Sequence, residues 1–389
     1  MKASVALTFF VIIIATLLLS HHSDDLPRLS TFTQSHDGSL NNIKNSTLGF
    51  EKIYVINLKN RTDHRDAAVL AASFTGLQLT FVEAETDVSA KALPPGDMYD
   101  KLRAPERGNW RSHMKVAALM VEEGIQSALV LEDDADWDIR IKSQMQDFAK
   151  AARVMLQPLK GSQDHADPSY PVPADQSMKH TNLRHEDFKV EEPTTSPYGD
   201  LSNWDLLWVG HCGCRFPAAS DGNMPIGRVV LSNDSTVPET QHLDMQFGNH
   251  ELLLQYPPFT RVVSRARVNT CTLGYALSQR GAASLLYELG VSKLDGTTDM
   301  ALRSFCDGSG RPVHTCLTVQ PQLFQHHRSV GPVSHGSDIS EHNDGYIRQA
   351  YTKNVRWSAR LNIPVLLNGS TDYIDLFKDG EKQRMLEAY

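Results

Sequence analysis

The chain has 389 residues, which is enough for one large α/β domain or two small ones with a sizeable core. Apolar residues make up 41% of the chain and charged residues 22%, and this ordinary globular composition includes no long biased tract. The formal net charge of −8 excludes a general electrostatic attraction to nucleic acid, so we expect no nucleic-acid partner. A negatively charged substrate would therefore need a local basic patch or a bound cation.

The amino terminus has the features of a membrane anchor. After Lys2, an apolar run covers residues 3–19 and is followed by two histidines and two aspartates. A helix of that length spans roughly 25 Å at about 1.5 Å per residue, and the flanking charges fit the positive-inside rule. We expect residues 1–20 to form a cytosolic tip and an uncleaved signal anchor. A cleaved signal peptide is the alternative, but the sequence after the run offers it a poor cleavage site.

The next segment and the glycosylation triplets indicate a lumenal domain. Residues 21–47 are polar and lack periodicity, so we expect a stem that holds the domain of residues 48–389 away from the membrane. Asn-x-Ser/Thr triplets at Asn45, Asn233 and Asn368 are candidate N-glycosylation sites of a glycoprotein. With the anchor, they predict a single-pass type II protein of the Golgi or endoplasmic reticulum membrane whose main domain is lumenal.

The cysteine pattern favours disulfides over a metal site. The five cysteines are Cys212, Cys214, Cys271, Cys306 and Cys316. Because five is an odd number, at least one thiol is free or pairs outside the chain. The closest pair is separated by one residue, whereas zinc knuckles have a longer gap, so we expect buried thiols or one or two disulfides.

The first elements in chain order form a β-α-β unit. Residues 52–58 predict a buried strand, residues 63–73 a helix, and the alternation over residues 77–85 a second strand. Helical spacing of apolar residues over 110–124 predicts a further helix that stops at a glycine. A fully apolar strand from Ser127 then runs directly into three carboxylates.

The second half of the chain continues the same alternation. Residues 157–199 are rich in proline and charge and predict a flexible insertion. Residues 204–210 predict a strand, and residues 272–289 predict a strand followed by a helix. Strands that alternate with helices predict an α/β fold with a single, mostly parallel sheet flanked by helices. The active edge of such a sheet lies at the carboxyl ends of its strands.

The acidic motif Glu132-Asp133-Asp134 follows the apolar strand. Three adjacent carboxylates repel one another and lose hydration there, so Mn²⁺ or Mg²⁺ would stabilise them. Since alternate side chains of a strand point to opposite faces, Glu132 and Asp134 are expected on one side and Asp133 on the other. A solvated acidic loop is the alternative, but the apolar strand before the motif favours a metal site.

Two further stretches carry candidate ligand-binding residues. Arg61 and Arg65 are four residues apart, so on one helix they would share a face and could clamp a diphosphate near the helix amino terminus. A surface helix of mixed charge is the alternative. Ser112 and His113 are expected where the next helix begins, either as caps or as contacts to a ligand beside the carboxylates.

Together these stretches resemble glycosyltransferase family 25, which contains bacterial lipooligosaccharide galactosyltransferases and animal collagen galactosyltransferases. The matching segments are YVINLKNRTDHRD (54–66), RGNWRSHMKVAALMVEEGIQSALVLEDDADW (107–137), WDLLWVG (204–210) and TLGYALSQRGAASLL (272–286). The resemblance spans about residues 52–328, interrupted by the insertion. It implies a fold similar to GT-A, an activated sugar donor such as UDP-galactose, and inversion of the anomeric centre.

Carried over position by position, the resemblance assigns roles to residues of this chain. It places Asn57, Leu58, Arg61 and Arg65 at the donor nucleotide, with Ser112 and His113 lining the same pocket. It assigns Glu132, Asp133 and Asp134 to the metal ion that bridges the donor phosphates. It places an acidic residue beside the acceptor, and the matching position is Asp299, which would be the catalytic base. Asp295 is the alternative for that position.

The sequence therefore predicts a Mn²⁺-dependent or Mg²⁺-dependent glycosyltransferase that moves a hexose, galactose by resemblance, from a UDP-sugar to a glycan or glycoprotein hydroxyl. One alternative is a catalytically silent member of the same fold that acts as a lumenal binding module. Another is a metal phosphohydrolase, which needs a second set of metal ligands. For that set the chain offers only scattered histidines, such as His326, His327 and His335.

Overall fold

The computed structural model describes residues 38–339 and 344–382. The expected anchor and most of the expected stem, residues 21–37, lie outside the described residues. The described residues belong to the second of two compact units, which spans Ser35–Tyr389. Within the described part of the chain, no helix is long and apolar enough to cross a membrane.

The helices and strands alternate along the chain as the sequence predicts. The α-helices are α1 (Thr62–Thr75), α2 (Ala104–Glu122), α3 (Ile141–Leu156), α4 (Glu251–Gln255), α5 (Gln279–Tyr287), α6 (Thr298–Asp307) and α7 (Ile363–Leu367). The strands of the first half are β1 (Lys52–Asn57), β2 (Thr80–Glu83), β3 (Ser127–Glu132), β4 (Ala135–Trp137) and β5 (Asn182–Leu183). Those of the second half are β6 (Leu206–Gly210), β7 (Arg228–Leu231), β8 (Arg261–Arg265), β9 (Gly274–Ser278), β10 (Cys316–Gln320), β11 (Phe324–Arg328), β12 (Gly331–Pro332), β13 (Tyr346–Ile347) and β14 (Tyr351–Thr352).

One sheet of twelve strands organises the molecule. Its main path is β2-β1-β3-β9-β6-β10-β8-β7-β5, and β11 joins it through β6, β4 and β14. Strand β1 is parallel to β2 and β3, and β6 is parallel to β10 and β11. Strand β9 lies between β3 and β6 and is antiparallel to both. The predicted α/β fold with one large sheet flanked by helices is confirmed, and it is compatible with a GT-A-type fold.

The sheet is covered by helices on both faces because its central strands are apolar throughout. Successive residues of a strand point to opposite faces. Accordingly, Val55 packs with helices α1 and α3 in one core, whereas Ile56 packs with α2, α5 and α6 in another. Both side chains are almost fully buried. This arrangement leaves the ends of β1 and β3 accessible between the helical layers.

Helix α2 begins earlier than the sequence predicts, at Ala104 instead of residue 110. Pro105 occupies the first turn, where its missing N–H costs little, and the Glu106 carboxylate accepts the Arg103 backbone N–H at 2.8 Å. Ser112 and His113 therefore lie in the helix interior and are buried, so the expectation that they start the helix is wrong.

The insertion at residues 157–199 packs against the edge of the sheet. Its strand β5 pairs in parallel with β7. Near its end, Tyr198 is fully buried, stacks on Phe50 and donates its hydroxyl to the carbonyl oxygen of Leu48 at 2.6 Å. The insertion is thus joined to the first strand region by an aromatic contact and a hydrogen bond.

Two disulfides are present, and they agree with the cysteine count. Cys212 is bonded to Cys271, and Cys306 to Cys316. Cys214 is a buried free thiol, and burial raises its pKa well above the ordinary value of a cysteine. Disulfides rather than a cysteine metal site are confirmed for these residues.

Candidate functional site

A three-residue cluster lies where β3 ends. Glu132 is the last residue of β3, Asp134 follows two positions later, and His326 comes from β11. One potential ligand atom from each of the three lies within 4.8 Å of the others. Strand β11 supplies the histidine because it pairs antiparallel with β4, which places His326 opposite Ala135. The cluster therefore joins residues that are far apart in sequence.

The Glu132 carboxylate is held by neighbours on one side. Thr272 donates its hydroxyl to Glu132 Oε1 at 2.5 Å, and His113 Nε2 lies 3.6 Å from the same oxygen. His113 is buried, and its Nδ1 is 2.8 Å from the hydroxyl of Tyr275. Its Nε2 has no hydrogen-bond partner among the described residues.

The charges around Asp134 fix its ionisation. Burial acts to raise the pKa of the Asp134 carboxyl, but the nearby His326 and Arg328 side chains outweigh it and the pKa is about 2. The Arg328 Nη1 donates to Asp134 Oδ2 at 2.9 Å. Burial lowers the pKa of His326 below its ordinary value, against the opposing effect of Asp134. At neutral pH the cluster thus offers an ionised carboxylate and a neutral imidazole.

Asp133 lies outside this cluster, in the turn between β3 and β4. Its Oδ2 accepts a hydrogen bond from Asn57 Nδ2 at 2.7 Å, and its Oδ1 lies 2.8 Å from His64 Nδ1. Asn57 also donates to the carbonyl oxygen of Arg61. Asn57 and Asp133, which the sequence assigned to nucleotide and metal, therefore bind each other and fix the turn between β1 and α1.

Two cavities adjoin the cluster and share Glu132 and His326 in their walls. The smaller, of about 310 Å³, also contains Leu58, Ser112 and Asp134 in its lining. Apolar parts of this smaller cavity come from Ile56, Ala84, Ala104, Pro105 and Ile339. The larger, of about 440 Å³, has a more polar lining that includes Arg103, Glu106, Gln246, Asp299, Arg328 and Lys353. A molecule in either cavity would contact the same carboxylate and the same imidazole.

Ser112 belongs to the smaller cavity, but its hydroxyl is already engaged. It donates to the carbonyl oxygen of Gly108 at 2.7 Å and accepts the backbone N–H of Glu85 at 2.8 Å. Gly108 allows this close approach, because a Cβ there would lie 2.4 Å from the Glu85 carbonyl oxygen. Ser112 therefore fixes α2 against the residues that follow β2, at the wall of the cavity.

The two predicted phosphate-binding arginines are not brought together. Arg61 precedes α1, and its guanidinium donates to Asp63 Oδ2 at 2.9 Å and to Asp338 Oδ2 at 2.5 Å. Arg65 lies within α1 and stacks over the ring of Phe81 at 4.1 Å from its centroid. Among the described residues that line the two cavities, neither arginine occurs. Arg61 is the N-cap residue of α1, and the two guanidinium groups have separate partners in this structure.

Asp299 lines the larger cavity from the first turn of α6. Its Oδ1 accepts the Thr297 hydroxyl at 2.7 Å, and its Oδ2 accepts the Cys271 backbone N–H at 3.1 Å. Thr297, not Asp299, occupies the N-cap position. The alternative residue, Asp295, forms an ion pair with Arg311 at 2.8 Å and is outside the lining of both cavities, within the described residues. The structure therefore puts Asp299 in the same cavity as Glu132.

Three residues of the site had no role in the sequence-based prediction. His326 appeared there only among scattered histidines, and Thr272 and Arg328 were not singled out. For His326 and Arg328, the sequence signal is the pattern Phe324-Gln-His-His-Arg328, in which polar side chains continue a strand that begins apolar. These three residues belong to elements that are distant in sequence from the acidic residues they contact.

An acidic cluster at the strand ends lies between two adjoining cavities, an arrangement compatible with an α/β enzyme that acts on two substrates. Comparison with known families identifies the class of enzyme. Residues 50–215 match the model of glycosyltransferase family 25, which is described as an LPS biosynthesis protein. These residues belong to glycosyltransferase family 25, and the chain is a glycosyltransferase. The matched region contains Asn57 and the Glu-Asp-Asp motif, whereas Thr272, Asp299 and His326 lie beyond it.

Proposed function

We propose that this glycosyltransferase is metal-dependent and inverting, and that it transfers a hexose, galactose in our expectation, from a UDP-sugar to a glycan or glycoprotein hydroxyl. The observation that carries the proposal is the position of the Glu132, Asp134 and His326 cluster between two cavities. A transferase must hold a donor and an acceptor on opposite sides of the reacting carbon. Two cavities that share one carboxylate and one imidazole meet this requirement.

The donor set of the cluster fits Mn²⁺ or Mg²⁺. It consists of two carboxylate oxygens and one imidazole nitrogen, which are hard and borderline ligands. The directions of the pKa shifts of Asp134 and His326 favour the ionised carboxylate and the neutral imidazole, the forms that bind a cation. When bound, the ion supplies positive charge to the leaving diphosphate. We assign the ion to Glu132, Asp134 and His326, and Asp133 supports the turn through Asn57 and His64.

The smaller cavity is our candidate for the nucleotide of the donor. Ile56, Ala84 and Pro105 give it apolar walls that can pack against a nucleobase. Leu58 and Ser112, which the resemblance places at the nucleotide, are both in its lining. The cluster at its inner end would receive the diphosphate, so the anomeric carbon would lie towards the larger cavity.

Asp299 is our candidate for the general base in the larger cavity. Inversion requires a carboxylate opposite the departing diphosphate, within hydrogen-bond reach of the acceptor hydroxyl. Asp299 lines the larger cavity, while Glu132 and His326 form the boundary with the smaller one. Hydrogen bonds from Thr297 and Cys271 hold the carboxylate, and a base must be oriented in this way.

The test is a nucleotide-sugar screen with the purified full chain. We expect turnover of UDP-galactose above that of UDP-glucose, strict dependence on Mn²⁺ or Mg²⁺, and inverted configuration of the product. A protein that binds Mn²⁺ and UDP-galactose without turnover would be the catalytically silent module instead. Turnover that persists after removal of divalent cations would refute the metal-dependent mechanism.

We also propose the type II topology for the full chain, because the apolar run and its flanking charges have that asymmetry. Exposed Asn45, Asn233 and Asn368 are available for the glycans of a lumenal glycoprotein. Protease treatment of sealed microsomes should leave the main domain intact. Digestion of that domain without detergent would contradict this topology.

A further inference from the structure

We propose that residues 270–273 act as one positioning segment for both carboxylates of the reaction, and that Thr272 is the positioning residue for the metal ligand Glu132. The inference rests on the proposed function and extends it to a segment outside the family match. Thr272 is 4% exposed, and it lines the larger cavity together with Cys271. Strand β9 begins only at Gly274, so the segment is not held by regular pairing within the sheet.

Three hydrogen bonds connect the segment to the two carboxylate residues. The Thr272 hydroxyl donates to Glu132 Oε1 at 2.5 Å, and the Glu132 backbone N–H donates to the carbonyl oxygen of Leu273 at 3.1 Å. The Cys271 backbone N–H donates to Asp299 Oδ2 at 3.1 Å. Adjacent residues of one segment thus bind the proposed ligand on β3 and the proposed base on α6.

The segment is itself fixed in an uncommon backbone conformation. Cys271 has φ of 61°, in the left-handed region that residues other than glycine rarely adopt. Its sulfur is bonded to Cys212, and its carbonyl oxygen accepts the Trp208 indole N–H at 3.0 Å. The Cys212 backbone N–H donates to the carbonyl oxygen of Thr270 at 2.9 Å. The disulfide and these bonds stabilise the conformation that directs the Cys271 N–H and the Thr272 hydroxyl at their acceptors.

A hydroxyl donated to a ligating carboxylate fixes its rotation and leaves the remaining lone pairs for the cation. Support of this kind changes metal affinity typically by about 10–100-fold when it is removed. A threonine that served only to pack the loop would affect unfolding without affecting metal affinity. Metal affinity therefore distinguishes a positioning role from a structural one.

The first experiment measures Mn²⁺ affinity by calorimetry on the full chain, without any sugar donor. We expect Thr272→Val to weaken binding by about 10–100-fold and Thr272→Ser to restore it to near wild type. Equal affinities of wild type and Thr272→Val would overturn the role of Thr272, as would a serine variant as weak as the valine variant. A wild-type protein that does not bind Mn²⁺ would overturn the metal-dependent function itself, so the two failures are distinguishable.

The second experiment tests the disulfide that holds the segment. The double variant Cys212→Ser/Cys271→Ser should lose on the order of 10²-fold in kcat and also bind Mn²⁺ more weakly, because both carboxylates lose their fixed neighbours. The control is Cys306→Ser/Cys316→Ser, which removes the other disulfide and should lower the Tm with little change in Mn²⁺ affinity. Equal kcat and Mn²⁺ affinity in both double variants would overturn the role of the Cys212–Cys271 bond.

Discussion

The acidic run of residues 132–138 contains two groups of carboxylates in different environments. Glu132 lines both cavities, Asp134 lines the smaller one, and both lie near the imidazole of His326. Asp136 is fully buried and accepts hydrogen bonds from Thr352 Oγ1 at 2.6 Å and from the Ser358 hydroxyl. It also accepts the backbone N–H groups of Trp137 and Arg360. The carboxylate oxygens of Glu132 and Asp134 can still accept bonds from a molecule or ion in a cavity. Those of the second group, which begins with Asp136, accept hydrogen bonds from donors within the protein.

Asp138 continues the pattern of the second group. It accepts the Arg140 backbone N–H at 2.8 Å and the Trp357 backbone N–H at 3.2 Å. Together with Asp136, it attaches residues 352–360 to strand β4. Residue type alone therefore does not distinguish a metal ligand from a structural carboxylate. The number of donors that the fold already supplies makes the distinction.

The largest expected effect comes from the first group. Asp134→Asn should reduce kcat by about 10³-fold or more, because an amide is a poor ligand for a divalent cation and several kcal/mol of charge stabilisation are lost. The same change weakens the ion pair with Arg328, so the Tm should fall while the protein remains folded. Steady-state turnover at saturating Mn²⁺ is the measurement, and near-wild-type turnover would show that the motif is a solvated loop.

Asp299→Asn tests the carboxylate on the acceptor side. Loss of a general base should reduce kcat by about 10²–10⁴-fold while donor binding is retained. Asparagine keeps one acceptor oxygen for the Thr297 hydroxyl, but its amide nitrogen cannot accept the Cys271 N–H. Thr297 remains the N-cap residue, so the fold of the α6 amino terminus should persist with a lower Tm. If kcat is retained, Asp299 is not the base, and Asp295→Asn becomes the variant to measure.

Asp136→Asn should show a different pattern from Asp134→Asn. The amide meets donors that were arranged for a carboxylate, so we expect a loss of about 1–3 kcal/mol in the free energy of unfolding. Mn²⁺ affinity of the folded protein should be unchanged. Urea denaturation measures the first quantity and calorimetry the second. A variant that keeps its stability but loses Mn²⁺ affinity would show that Asp136 acts as a metal ligand and not as a structural carboxylate.

The pH dependence of stability should follow the second group. Burial acts to raise the pKa of Asp136, but His327 and Arg360 outweigh it, and the net pKa is below its ordinary value of 3.8. A lowered pKa in the folded state contributes stability above pH 3.8 that is lost as the pH falls through the folded value. The stability difference between wild type and Asp136→Asn should therefore shrink from pH 5 downwards. A difference that grows with acidification would contradict the assigned ionisation.

The smallest effect is expected for Arg65→Ala. Its contact with Phe81 is a partly exposed cation–π interaction, typically worth about 0.5–1 kcal/mol of stability, and the residue lies outside the lining of the cavities in the described structure. The donor KM should hardly change. A rise in donor KM in both Arg65→Ala and Arg61→Ala would restore the diphosphate clamp that the sequence predicted.

Much of the first half of the fold could be predicted because its signals are local. The apolar run of β3 and the β-α-β opening are both properties of short windows. The start of α2 was missed because the apolar periodicity begins later than the helix. Its capping interaction at Arg103 and the proline that follows are the signals that define it.

The rest of the site could not be predicted because it depends on long-range pairing. His326 meets Asp134 only through the antiparallel pairing of β11 with β4. Thr272 meets Glu132 through a segment that precedes β9, which lies beside β3 in the sheet. The partners of the two arginines are also long-range or non-helical, since Arg61 contacts Asp338 and Arg65 stacks on Phe81.

The most direct test of the metal site compares two adjacent histidines of β11. His326 lies in the cluster, whereas His327 points to the other side of the strand and lies 3.0 Å from Thr352 Oγ1. Calorimetric titration of the full chain with Mn²⁺ measures the affinity of each variant. His326→Ala should lose more affinity than the ~10–100-fold that is typical when a residue only supports a ligand. His327→Ala should bind as wild type does. Equal Mn²⁺ affinity in the two alanine variants would contradict the assignment of the site.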